Sequence, residues 1–208
     1  MQAFSIALRE RNFKILDLLI GLTQVMVEGE LLQLAYLQRT DLTEDDYFEL
    51  TYRKTACLFS ACLRTGALLA DRPEEEENLL ASYGINLGLA FQLIDDLLDF
   101  TSSEEKLGKP IGNDLREGKV TLPMIYLLQA CTPEEAQKPA RVFQDGGFQN
   151  VTFAEILELV ERYGALDAAR DKAKEFAEEA KRCLRIFPES VYKDALMSLP
   201  DFIIARES

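Results

Sequence analysis

Leu87-Gly88-Leu89-Ala90-Phe91-Gln92-Leu93-Ile94-Asp95-Asp96-Leu97-Leu98-Asp99-Phe100 is the stretch on which the reading of this chain turns. It continues a helical pattern that begins at Glu74 and extends to Phe100. On a helix Asp95 and Asp99 lie one turn apart on the same face, and Asp96 lies beside Asp99 at i+3. Gln92 precedes Asp95 by three residues and Asp96 by four, so its amide shares that face. Carboxylates converging so closely repel one another unless a cation sits among them. Hard oxygen ligands on an open, partly hydrated site suit magnesium, which takes one or two carboxylates together with substrate phosphate oxygens. Charges set among this much apolar surface cost free energy unless they are paired or metal-bound.

Spacing alone does not single the stretch out. With 36 acids in 208 residues, the same pattern is expected by chance about once, and Asp45-Asp46-Tyr47-Phe48-Glu49 is such a copy. That copy opens a helix behind Thr43, a predicted N-cap completed into a capping box by Asp46. Acids there stabilise the helix dipole and need no metal.

Outward from this centre the pattern is helical nearly throughout. Phe13, Leu16, Leu19, Ile20, Val27, Leu31, Leu34 and Ala35 recur at spacings of three and four, with Gly21 a candidate break or close contact. A helix is predicted from Thr43 to about Ala70, ended by Asp71-Arg72-Pro73. Thr101 to Gly118 reads as a loop, and helix resumes at Val120. Further breaks fall at Thr132-Pro133, Asp145-Gly146-Gly147, near Gly164 and at Phe187-Pro188. Strand signals are nearly absent and no linker divides the chain, so residues 1–208 are expected to form a single all-α domain.

Composition excludes much. A net charge of -13 disfavours nucleic acid and anionic membrane surfaces by long-range repulsion. An anionic substrate stays admissible if metal ions screen it locally. Charges interrupt every apolar window, so no membrane insertion is expected. Without a signal-like N-terminus, and with Cys57, Cys62, Cys131 and Cys183 dispersed, a reducing cytoplasm fits. Cys57 and Cys62 read as small buried thiols. The absence of histidine removes imidazole catalysis and His-ligated zinc.

Cations flank the acidic helix. Gly108-Lys109-Pro110-Ile111-Gly112-Asn113-Asp114-Leu115-Arg116-Glu117-Gly118-Lys119 offers glycines for close backbone approach and two lysines for phosphate oxygens. Tyr52-Arg53-Lys54-Thr55 sets a lysine and a hydroxyl into an otherwise apolar helix. Each has an ordinary surface reading; Lys54 alone would be a snorkelling lysine.

Taken together, Glu28-Gly29-Glu30-Leu31-Leu32-Gln33, Tyr52 with Lys54-Thr55-Ala56, Gly88 to Asp99, and Gly108 to Pro123 resemble the trans-isoprenyl (polyprenyl) diphosphate synthase family, especially its medium- and long-chain members. The resemblance runs to Arg206 and implies an isoprenoid-synthase-type helical bundle with two facing aspartate-rich motifs, of which Asp95-Asp96-Asp99 is similar to the second. It implies Mg2+ at Asp95 and Asp99 with Asp96 in support, diphosphate contacts from Lys54 and Lys109 with help from Lys119, and Thr55 and Gln92 near the reacting carbon. The implied substrates are an allylic diphosphate and isopentenyl diphosphate, joined to extend an all-trans polyprenyl diphosphate. The implied assembly is a homodimer or hetero-oligomer.

The first aspartate-rich motif and the N-terminal cations of the family have no counterpart here, so about a third of a family member is expected to be missing. A truncated or fragmentary chain, one part of a split synthase, and a non-catalytic partner subunit are the readings this leaves. A terpene cyclase of similar fold is the second enzyme class.

Overall fold

The structure is a computed structural model that describes residues 2–101 and 111–206. The described residues are helical without strands. In chain order they form α1 (Gln2–Arg9), α2 (Phe13–Tyr36), α3 (Glu44–Thr51), a π-helical segment (Tyr52–Ala56), α4 (Cys57–Leu69) and α5 (Glu74–Thr101). Then follow α6 (Asn113–Arg116), α7 (Leu122–Ala130), α8 (Gln137–Asp145), α9 (Phe153–Arg162), α10 (Ala165–Cys183) and α11 (Val191–Ala205).

Caps set the boundaries. Thr43 accepts from the Asp46 amide while the Asp46 carboxylate accepts from Thr43 N–H, so the predicted capping box closes α3. Thr152 and Glu155 repeat it at α9. Asn12 caps α2 through the amides of Lys14 and Ile15. The helix predicted from Thr43 to Ala70 is one continuous rod, but with a π-helical segment inside it that periodicity does not signal. Two expectations are corrected. Gly21 neither breaks α2 nor packs closely, since nothing lies within 4 Å of where its Cβ would stand. Cys62 is exposed, whereas Cys57 is buried as expected. The expected Thr101–Gly118 loop contains the short α6, and the helix expected from Val120 begins at Leu122 behind Thr121.

The second half of α5 is the axis of the molecule. Leu87, Leu89, Ala90, Leu93, Ile94, Leu97, Leu98 and Phe100 are buried on all sides of it, as befits a helix enclosed by others. On one flank α10 presents Ala169, Ala173, Ala177 and Ala180, all buried and small enough for close packing. On another, Gly84 and Gly88 bring α5 against the π segment and α4. A Cβ at Gly88 would stand 2.6 Å from the Ala56 Cα, and one at Gly84 2.6 Å from the Ser60 Cα. No backbone can yield that much without the helices separating.

By contrast α2 sits at the margin. Phe13, Ile20, Val27, Leu31 and Leu34 are exposed, so much of the apolar stripe read from its sequence has no cover among the described residues.

These contacts predict opposite outcomes for two glycines. Gly88→Val should lower stability by about 1–3 kcal/mol or more through overpacking. Gly21→Ala should raise it by about 0.5–1 kcal/mol, because only helix propensity changes. Thermal denaturation of both variants checks this; a harmless Gly88→Val would contradict the close packing.

Candidate functional site

Beside the π segment a cavity of about 220 Å3 opens between α2, α3, α5 and the α6–α7 connection. Lys54, Thr55, Gln92, Asp95, Asp96 and Lys119 all line it, so those predicted residues converge. Asp99 does not line it. Lys109 lies outside the described residues. An open groove of about 1180 Å3 runs between the first turns of α2, α4 and the start of α5. It contains none of the predicted residues.

The π segment explains why Lys54 and Thr55 reach this cavity. A π-helical turn shifts the helix phase by inserting extra backbone between turns, and such turns are frequent at functional sites. Lys54 extends toward Gln33, whose side-chain oxygen accepts from its Nζ, and lies 3.5 Å from Glu30. Thr55 donates to Gln92 Oε1 at 2.9 Å. Next to them, Arg53 is held by Glu28 and Glu49, tying α2 to α3.

The acids on α5 divide instead of converging on one point. Asp96 is 4% exposed, with Tyr47 Oη donating to one oxygen at 2.7 Å and Gln92 Nε2 to the other at 2.8 Å. Burial lifts its pKa to about 7, reinforced by the charges of Asp114 and Asp95 and opposed by the Tyr47 and Gln92 hydrogen bonds. Burial, together with Asp96 itself, keeps Tyr47 protonated. Asp99 is 1% exposed and turns toward the α6 side, accepting from the amides of Asn113 and Asp114 at 3.2 and 3.0 Å. Its carbonyl takes the Gly112 amide as well. Asp99 thereby folds the chain after residue 111 back over the cavity.

Asp95 is the acid left over. It is half-buried, lines the cavity, and has no hydrogen-bond or ion-pair partner among the described residues. Those residues contain no group of three acid or thiol side chains gathered to hold a metal ion. Without a cation among them, Asp95 and Asp96 share the cavity while Asp99 takes the Asn113 and Asp114 amides. Helical spacing fixes where the Cα atoms lie; the hydrogen-bond partners available decided where each carboxylate turned.

Tyr47, Asp114, Glu117 and Gln33 also line the cavity, though no role at the site was expected of them from the sequence. Lys119 donates to Asp114 at 3.0 Å and lies 2.7 Å from Glu117. Desolvation disfavours its charge, but those carboxylates outweigh it and hold the pKa above the ordinary lysine value. Tyr47 was hidden inside the acid cluster set aside as a helix cap. The signal that could have found it was its position four residues before Thr51 and eight before Thr55, one helix face.

The donor chemistry fits a hard cation. Asp95, Asp96, Asp114 and Glu117 face only Lys54 and Lys119 within the described lining, the side-chain atoms able to ligate a cation are oxygens, and one carboxylate is uncommitted. An anion entering alone would meet net repulsion.

The buried Asp96 makes a pH prediction for the metal-free chain. Its folded pKa of about 7 lies above its unfolded value of 3.8, so the fold loses stability as pH rises between them. Asp96→Asn removes that loss. Its stability advantage over the wild type should therefore grow from pH 4 to pH 7, by on the order of a few kcal/mol, and then level off. Paired denaturation curves across that range check it, and a pH-independent difference would contradict it.

The family model described as polyprenyl synthetase matches residues 1–160. Octaprenyl diphosphate synthase of Escherichia coli (strain K12) is 37% identical over 206 residues, covering 99% of this chain and 64% of that relative. A short chain isoprenyl diphosphate synthase of Methanothermobacter thermautotrophicus is 38% identical over 180 residues, covering 86% of this chain and 55% of that protein. Among solved structures, a polyprenyl synthase from Caulobacter crescentus CB15 superimposes with a TM-score of 0.91 at 38% identity, covering 99% of this chain and 62% of that one. The chain thus spans less than two thirds of the length of these relatives. No helix among the described residues is long and apolar enough to cross a membrane. On the match to residues 1–160, the chain belongs to the polyprenyl synthetase family.

Proposed function

We propose that this chain carries the allylic-diphosphate side of a prenyltransferase site, which joins an allylic diphosphate to isopentenyl diphosphate and so extends an all-trans polyprenyl diphosphate. The observation that carries the reading is the cavity at Asp95: an uncommitted carboxylate beside Lys54, Thr55 and Gln92, in a lining too acidic to accept a diphosphate without divalent cations. Its volume of about 220 Å3 is below the roughly 300–1,000 Å3 of a drug-sized site and suits a headgroup better than a polyprenyl tail. The Caulobacter crescentus relative is described as complexed with calcium and isoprenyl diphosphate, which supports the same ligand class here.

In this reading Asp95 is the primary carboxylate for Mg2+, with Asp96 and Asp99 holding the surrounding geometry. Magnesium, when bound, neutralises the leaving diphosphate so that the allylic C–O bond can ionise, an electrostatic effect worth several kcal/mol. Lys54 and Lys119 bind diphosphate oxygens, and Lys109 joins them by resemblance. For Lys119 this means exchanging Asp114 and Glu117 for the ligand as cations balance those acids. Thr55 and Gln92 turn oxygen dipoles toward the carbon that becomes positive as the bonding pair leaves with the diphosphate. The double bond of isopentenyl diphosphate then attacks that carbon. The proton released from the adduct passes to the departed diphosphate, so no histidine is needed. The family's first aspartate-rich motif and the N-terminal cations that hold isopentenyl diphosphate are not among these 208 residues. Extension is therefore expected to require residues beyond them. The exposed stripe on α2 offers a surface for a second copy or for a companion chain in a hetero-oligomer.

Titration calorimetry with inorganic diphosphate tests the metal half of the reading. Binding is expected only with magnesium, and Asp95→Ala should weaken it at least about tenfold, the scale of a lost charged contact. Incubating the chain, alone and with a candidate partner, with magnesium, farnesyl diphosphate and isopentenyl diphosphate tests the transfer. No extension under any condition, together with unchanged diphosphate binding in Asp95→Ala, would sink the proposal.

A further inference from the structure

Tyr47, Thr51 and Thr55 occupy successive turns of the rod formed by α3, the π segment and α4. Opposite them on α5 stand Gln92 and Asp96, also one turn apart. The side chains of Tyr47, Asp96, Gln92 and Thr55 join into one polar chain: Tyr47 Oη donates to Asp96 at 2.7 Å, Gln92 Nε2 donates to Asp96 at 2.8 Å, and Thr55 donates to Gln92 Oε1 at 2.9 Å. No buried side-chain nitrogen or oxygen among the described residues lacks a partner.

The direction of every bond in it follows from donor and acceptor chemistry. Both oxygens of Asp96 accept, one from Tyr47 Oη and the other from Gln92 Nε2, so Gln92 presents its NH2 group to Asp96. The carbonyl of Gln92 must then point the other way, toward Thr55. Thr55 takes one of its lone pairs and leaves the second for a group in the cavity that Gln92 lines. Asp96 can enforce this only if its own rotation is stopped. Gln92 alone cannot stop it, being the group to be oriented. Tyr47 can, because its ring is 5% exposed and packs edge-on against Phe48 with ring centroids 5.3 Å apart. Tyr47 lines the cavity as well, yet its hydroxyl is spent on Asp96.

We propose that Tyr47 is a positioning residue of this site: by locking Asp96 it holds the Gln92 amide with its carbonyl oxygen toward the carbon that develops positive charge. The inference rests on the prenyl-transfer reading and adds to it a residue that touches neither the metal nor the diphosphate. Its effect passes through Gln92. Removing the phenol hydroxyl should therefore leave diphosphate binding intact and selectively weaken the site's liking for a cation beside the diphosphate.

Two probes separate these properties. One is a prenyl diphosphate analogue with a protonated nitrogen near C1, and the other is the neutral thiolo-diphosphate isostere. Calorimetry with magnesium should show that the wild-type chain binds inorganic diphosphate and prefers the cationic probe to the neutral one. Tyr47→Phe should keep diphosphate binding and lose about tenfold of that preference, the scale of a hydrogen bond to a charged group. In the Gln92→Ala background, Tyr47→Phe should cause no further loss, because coupled residues are non-additive. A wild-type chain that binds no magnesium diphosphate overturns the prenyl-transfer reading and this inference with it. Diphosphate binding with no cationic preference in the wild type, or with the preference unchanged in Tyr47→Phe, overturns the Tyr47 assignment alone. A further loss from Tyr47→Phe in the Gln92→Ala background also overturns it, since a merely structural tyrosine would act on either background. Should Tyr47→Phe not fold, Tyr47→Leu removes the same hydroxyl with less bulk and is read the same way. Wild-type preference in folded Tyr47→Leu overturns the assignment.

Discussion

Because Gly84 and Gly88 carry no side chains, α5 lies against the π segment and α4 at backbone distance. The cavity depends on that approach. It lets the short side chain of Thr55 reach Gln92, and it brings Tyr47 within 2.7 Å of Asp96. Spread the helices by the width of a methyl group and each of these bonds would stretch beyond the roughly 3 Å at which a hydrogen bond is worth having. The buried Asp96 would then be left with the desolvation penalty of a carboxylate and no compensation. Packing and site are thus one construction: the apolar contact sets the spacing, and the spacing is what makes the polar chain affordable.

The helical layout was legible because it rests on local signals. Thr43 with Asp46 and the breaks at Pro73, Gly146, Gly164 and Pro188 each act within a few residues of where they stand. The membership of the site was largely legible too, since Lys54, Thr55, Gln92, Asp95, Asp96 and Lys119 line one cavity. What spacing could not supply was the direction of the side chains. Asp99 shares a helix face with Asp95, yet it meets two amide donors after residue 111 that only the tertiary fold delivers. The π segment was invisible for a related reason. One extra residue in a turn changes phase without changing the composition that periodicity reads. Tyr47 was missed because the acids around it had a sufficient local explanation in the cap.

On the proposed reading, an acidic site for an anionic ligand is a switchable arrangement. Asp95, Asp114 and Glu117 would repel a diphosphate until cations arrived with it, and Lys119 would stay engaged by Asp114 and Glu117 until then. The same charges that exclude the bare anion would become ligands or counterions with metal present. Metal and substrate binding would then be mutually dependent, as linkage requires of two ligands that each raise the other's affinity. The same reading would give the three acids of α5 separate tasks: Asp95 lines the cavity, Asp96 accepts from the Gln92 amide, and Asp99 accepts from the amide of Asp114.

That division of labour is the central claim, and a crystal grown with manganese and inorganic diphosphate tests it most directly. Manganese stands in for magnesium and is located by its anomalous scattering. The account predicts a metal peak at about 2 Å from an Asp95 oxygen, with Asp99 still accepting the Asn113 and Asp114 amides. A metal coordinated by Asp99 in place of those amides, or no metal at Asp95, would contradict it.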